Sequence, residues 1–187
     1  MKNIILAITG ASGAIYGHRI LEILNKVENI QVHLIISNAA LITIKHELDI
    51  DIRVLKNLAY RAYSFKDISA CISSGSFKID GMIIAPCSVK TMSEIACGIS
   101  SNLISRSADV VLKEKRKLLL CLRETPLHSI HLDNLKKLSD IGAIIFPPVP
   151  AFYNKPKTID DIVNHTVGRI LDQFDIEQNI ITRWQGL

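Results

Sequence analysis

Short aliphatic and β-branched runs alternate with stretches of helical period along most of the chain. The apolar runs predict strands over residues 3–9, 31–37, 81–85, 117–122 and 143–146. Helical spacing predicts helices over 14–26, 38–46, 88–98, 102–115, 130–141 and 159–174. In the first helix Ile15, Ile20, Leu21 and Leu24 lie close to one stripe. In the last, Ile159, Ile162, Val163, Val167, Ile170 and Leu171 form a clean one. Thr158, with Asp161 three residues on, makes a capping box in which Asp replaces Glu. Residues 49–66 carry no readable period.

Strands that are apolar throughout, alternating with helices, imply a parallel sheet covered on both faces. The predicted fold class is therefore α/β: a three-layer Rossmann-like (flavodoxin-like) domain around a central parallel sheet. The 187 residues suit one domain with a substantial core, and no repeat, linker or low-complexity segment divides residues 1–187. A mean hydropathy of +0.26 is high for a monomer of this size, so apolar surface is expected between subunits as well.

The apolar start of the chain is too short for a secretion signal and ends in glycines, which reads as a buried strand. No run approaches the roughly 20 apolar residues that span a bilayer. Cys71, Cys87, Cys97 and Cys121 form no C-x-x-C pair, which fits reduced thiols in a cytoplasm. The net charge of +4 is mildly basic. Its densest run, Lys113, Lys115, Arg116 and Lys117, suits a helix C-terminus complementing its own dipole. With no aromatic interleaving, a nucleic acid is a poorer partner than a small anion.

In a parallel sheet ligands bind beyond the carboxyl ends of the strands, so residues just after strands hold the chemistry. The first strand runs into Thr9-Gly10-Ala11-Ser12-Gly13 at a helix start. A dinucleotide fingerprint would need glycine where Ser12 stands, and an acid where the second strand ends at Ser37-Asn38. Small residues, a hydroxyl and free N–H groups suit a single phosphate; a tight turn without ligand accounts for them equally well. Pro86-Cys87-Ser88-Val89-Lys90-Thr91 repeats that chemistry at another strand end, with Ser88 as N-cap. Lys90 opposes the helix dipole there unless an anion is bound; plain capping with Lys90 in solvent is the alternative.

Arg123-Glu124 places a cation and a carboxylate at the next strand end, where a surface ion pair is the plain reading. Residues 147–153 form a stiff, apolar, proline-rich loop ending in aromatics, suited to covering a small apolar group. The chain has no H-E-x-x-H, cysteine quartet or G-x-S-x-G elbow. His128 and His131 lack an evident third ligand, and no paired acids are placed to hold magnesium against a diphosphate.

Taken in order and spacing, residues 9–17, 73–77, 85–91, 105–116, 123–127, 146–153, 164–174 and 183–186 resemble the UbiX-type flavin prenyltransferases. That family was formerly described as aromatic-acid decarboxylases. The resemblance runs from end to end and is thinnest over 48–70. It implies a metal-independent transfer of a dimethylallyl group from dimethylallyl monophosphate to reduced FMN. The flavin is alkylated at N5 and a further ring closes through C6. The prenylated FMN then serves a partner UbiD-type decarboxylase, as in ubiquinone biosynthesis.

By the family pattern, Gly10, Ala11, Ser12, Ser37, Ser88, Val89, Lys90, Thr91 and Arg123 fall on FMN-binding positions. Tyr153 and Arg169 fall on positions that hold the dimethylallyl phosphate from a neighbouring subunit, and the resemblance implies a dodecamer. Glu124 matches the acid/base residue, with Lys113 and Ser12 as further catalytic candidates. Arg106 matches a supporting charge, and Ser74 and Trp184 lie in matching stretches on the substrate side. Two rivals stand beside this reading. One is an FMN-dependent cysteine decarboxylase, whose Pro-Ala-Ser-Ala-Asn-Thr-like segment differs from residues 86–91 and whose histidine has no clear match. The other is a non-catalytic flavin-binding subunit.

Overall fold

The computed structural model describes residues 1–184 and Gly186. Strand β1 (Lys2–Ile8) leads into α1 (Ala14–Leu24), then β2 (Ile30–Ile36), α2 (Asn38–Leu48), α3 (Ile52–Leu58) and β3 (Arg61–Tyr63). A 3-10 turn (Cys71–Ser73) precedes β4 (Gly81–Cys87), α4 (Val89–Ala96), α5 (Leu103–Lys113) and β5 (Lys117–Leu122). The order closes with α6 (Ser129–Asp140), β6 (Ile144–Ile145) and α7 (Ile159–Asp172). All six strands are parallel, in the order β3-β2-β1-β4-β5-β6. The predicted three-layer Rossmann-like class is the one observed.

Alternation within the apolar strands explains the layers. In β1, Ile4, Leu6 and Ile8 point into a core shared with α1, α2 and α7, while Ile5 and Ala7 point into one shared with α4 and α5. A continuous apolar strand is what two covered faces require. Because β1 and β4 sit side by side and the chain leaves them in opposite directions, the order reverses between them. Their carboxyl ends diverge into a crevice, the usual ligand position in such sheets.

The structure corrects the sequence reading most within 49–66, where α3 and the edge strand β3 form. Leu55 alone is buried in α3, and β3 has three residues with none buried, so neither leaves a hydrophobic period. Several ends also move: α1 stops at Leu24, and β6 is only Ile144–Ile145. Asn102 caps α5 rather than beginning it, in a reciprocal box with Ser105 that the sequence reading did not contain. The Thr158–Asp161 box is present as expected.

Candidate functional site

Three strands deliver the first group of residues. Gly10 follows β1, Ser37 follows β2 and Ser88 follows β4, and all three line one cleft of about 420 Å³. Ser37 is the N-cap of α2, its Oγ accepting the Ala40 N–H at 3.1 Å. Ser88 is the N-cap of α4, its Oγ accepting the Thr91 N–H at 3.3 Å and lying 3.2 Å from the Thr91 hydroxyl. Asn102, the cap of α5, reaches the same cleft. First-turn amides of a helix lack intrahelical partners and carry its positive end. Helix starts converging on one hydroxyl-lined space make an anion seat.

Gly10 is required there by contact: a Cβ on it would stand 2.5 Å from the Ala39 Cβ. Its hydrogen lets the loop press against the first turn of α2. Val89 and Lys90 occupy the first turn of α4, with Lys90 exposed and its Nζ 3.9 Å from Glu94. Glu94 is held by Asn102 Nδ2 at 3.0 Å and by the Ser101 hydroxyl at 3.2 Å.

The other end of the first loop departs from expectation. The α1 N-terminus is already bound by a carboxylate of the chain itself. Glu47 accepts the Gly13 and Ala14 amides at 2.9 and 2.8 Å. Burial works to raise the Glu47 carboxyl, but bonds from Ser12 and the two amides, with the Arg123 charge, outweigh it and hold it below its ordinary 4.5. The first-turn amides of α1 are thus paired within the chain, whereas Ser37 and Ser88, the caps of α2 and α4, line the cleft. Gly13 itself has φ of 102°, a left-handed turn that favours glycine.

Glu47 was missing from the sequence reading. A signal existed in the stripe Ala39, Thr43, Glu47, four residues apart along α2 and hence on one face. Ala39 meets Gly10, the Thr43 hydroxyl donates to the Gly10 carbonyl at 3.3 Å, and Glu47 holds Gly13. The surface ion pair that was the plain alternative for Arg123 and Glu124 is not formed among the described residues. Arg123 directs its charge toward Glu47 and Tyr16, while Glu124 Oε1 accepts the Thr125 amide at 3.0 Å.

A second group gathers on α5. Arg106 donates to the Ser73 carbonyl at 3.2 Å and to Asp109 at 2.9 Å. Lys113 pairs with Glu114 at 2.5 Å beside Gly75. Arg116 clamps the same 73–77 loop through the Gly75 and Phe77 carbonyls. Ser74, within that loop, bonds Ser76 at 2.9 Å. Within the basic run Lys113 and Arg116 thus meet a local acid and loop carbonyls, and Lys117 binds the Gln173 carbonyl and Asp175.

A third group lies on and beside α7. Tyr153 and Trp184 are both exposed, and their rings meet edge-on at 5.5 Å. The Tyr153 hydroxyl is 2.8 Å from His165 Nε2, and Arg169 reaches Asp172 at 3.4 Å. None of Tyr153, Arg169 and Trp184 lines the cleft at Gly10. His128 and His131 stack at 3.5 Å, and no group of three or more His, Cys, Asp or Glu is placed to hold a metal among the described residues.

A Rossmann-ordered sheet with a single-phosphate seat at its switch point, and no ribose-binding acid after β2, defines a mononucleotide-binding α/β protein. The chain belongs to the flavoprotein family, whose model matches residues 1–171. It is 50% identical over 188 residues to flavin prenyltransferase UbiX of Escherichia coli K12, with all of both chains covered. The solved structure of AnUbiX in complex with FMN and dimethylallyl pyrophosphate superposes with a TM-score of 0.97 at 46% identity, covering 100% of this chain and 98% of that one. The dodecameric FMN-dependent UbiX-like decarboxylase from Escherichia coli O157:H7 matches at 0.97 and 48%, covering 98% of this chain and 100% of that one.

Proposed function

We propose that the chain is a flavin prenyltransferase that moves a dimethylallyl group from dimethylallyl monophosphate to reduced FMN, giving prenylated FMN for a UbiD-type decarboxylase. The observation that carries this reading is the cleft where the α2 and α4 N-termini converge, in a chain half identical end to end to flavin prenyltransferase UbiX. Ser37, Ser88, Val89, Lys90 and Thr91 fit the FMN phosphate through hydroxyls and first-turn amides. Gly10 and Ala11 bring the loop backbone to the flavin, and Arg123 adds a cation beside it.

When bound, reduced FMN supplies the nucleophile. The reaction breaks the allylic C–O bond and leaves phosphate, so negative charge grows on the leaving oxygens. Arg169 and Tyr153 of a neighbouring copy, with Lys113 and Arg106, neutralise it, so that protein charges meet the leaving monophosphate. Preorganised donors of this kind are each worth about 10²–10³ in rate. Glu124 carries the proton lost from the flavin to the departing phosphate, with Ser12 and Glu47 ordering the loop beside it. Ser74 and Trp184 border the donor, Trp184 offering a π face to positive charge on the allyl group.

Tyr153, Arg169 and Trp184 stand apart from the cleft of their own chain, which supports a site completed by a neighbouring copy. A closed homo-oligomer, the dodecamer of the Escherichia coli O157:H7 relative, provides one. We read residues 1–187 as one domain, in support of which strands from Lys2 to Ile145 share one sheet. A cytoplasmic location fits the four free thiols, and no helix of the described residues is long and apolar enough to cross a membrane.

The test is mass spectrometry of the flavin after anaerobic incubation with dithionite and dimethylallyl monophosphate. A flavin heavier by one prenyl unit is expected. Bound FMN of unchanged mass would instead mark a non-catalytic flavin carrier.

A further inference from the structure

Beneath the exposed ring of Tyr153 lies a histidine that the reaction as described does not use. His165 is 8% exposed, and its Nε2 sits 2.8 Å from the Tyr153 hydroxyl oxygen. The two rings meet edge-on, 5.5 Å apart at 82°. Trp184 holds the phenol in the same manner, at 5.5 Å and 79°. Arg169 stands one helical turn beyond His165, on the same face of α7. Histidine, tyrosine and arginine thus form one row.

The charges around the row leave the phenol to the histidine. Asp161 has its carboxylate bound by the Lys157 and Thr158 amides, both at 2.9 Å. Asp172 accepts from Arg169 at 3.4 Å and from Arg183 at 3.0 and 2.8 Å. Lys155 and Lys157 line a polar cleft together with His165. From α1, Arg19 binds Asp160 and also Asn164, the residue before His165. Burial and then the Arg169 charge lower the His165 pKa, against an opposing pull from Asp172. Both influences favour the uncharged ring, which carries one N–H, so its tautomer decides which partner donates.

We propose that His165 is a positioning residue for the donor phosphate, its Nε2–H donating to the Tyr153 oxygen so that the phenolic proton turns outward to a phosphate oxygen. This rests on reading Tyr153 as a donor-phosphate residue. Were Nε2 the acceptor, Tyr153 would spend its single proton on the imidazole and present lone pairs to an anion. Donation from Nε2 makes the same phenol a phosphate ligand and aligns it with Arg169.

The test is a double-mutant cycle, with KM for dimethylallyl monophosphate and kcat measured at saturating reduced FMN. His165→Phe keeps a ring and loses the hydrogen bond; donor KM is expected to rise roughly tenfold, the scale of one bond made to a charged group, with kcat nearly unchanged. His165→Gln places an amide nitrogen near Nε2 and should hold KM close to wild type. In a Tyr153→Phe background, His165→Phe should add nothing. An equal cost in both backgrounds, with Tyr153→Phe itself costly, overturns the positioning role and leaves the donor site standing. Tyr153→Phe without effect on donor KM overturns both. Solid-state ¹⁵N NMR of the wild-type protein reads the tautomer whether or not His165→Phe folds: a protonated Nε2 is expected, and a bare one overturns the proposal.

Discussion

Glu124 keeps a short tie to the Thr125 amide, and glutamine preserves that tie while removing the titrating group. Glu124→Gln should therefore bind FMN normally and slow product formation by about 10²–10⁴-fold, the range of general acid–base contributions. Single-turnover kinetics decide it; a wild-type rate would leave Glu124 as a turn residue only. Glu47 is a different case, since its carboxyl is held below 4.5 by the loop it binds. Its folded pKa is lowered, so its contribution is complete above 4.5 and is lost as pH falls through that folded value. Protection of the Gly13 and Ala14 amides, measured against their intrinsic exchange rates, should fall at acid pH in wild type and be low at all pH values in Glu47→Ala. Ser37, the cap of α2, was placed by the family pattern alone, whereas Ser88 was legible as a cap because a cap acts on amides within three residues. Glu47 was not, because its partner lies 34 residues earlier, and only the packing of α2 on the loop brings them together.

Elements legible in the sequence are those that bury a full stripe or a full strand, such as β1, β4 and α7. Missed elements are the ones that bury little, α3 and β3, whose pattern carries almost no free energy of its own. Helix starts make separate predictions because they do separate tasks. Thr158 closes the start of α7 away from the cleft, so Thr158→Ala should cost about 1 kcal/mol in urea unfolding and leave FMN affinity unchanged. Ser37→Ala and Ser88→Ala remove hydroxyls from the cleft itself and should weaken FMN binding measured by calorimetry. The same seat, with no acid after β2 for a ribose, should favour FMN over NAD or FAD; equal affinity for NAD would contradict it. The Ser88 and Thr158 caps were thus readable and the Asn102 box was not, while the convergence of caps from three helices was visible only once the strand order was known.

Across the whole molecule, apolar side chains that one chain leaves exposed, among them Ile42, Ile130, Leu132 and Phe152, agree with the high mean hydropathy in calling for partner copies. Light scattering at micromolar concentration should find a closed oligomer, and a fully active monomer would contradict the shared site. The distance between the Gly10 cleft and the Tyr153–Arg169 row has a genetic consequence. A cell carrying one allele crippled at Ser37 and Ser88, and another crippled at Arg169, makes two proteins that each assemble into dead particles. Mixed particles bring an intact cleft from one product against an intact donor row from the other. Two inactive alleles expressed together should therefore yield active enzyme, as no pair would if every copy closed its own site.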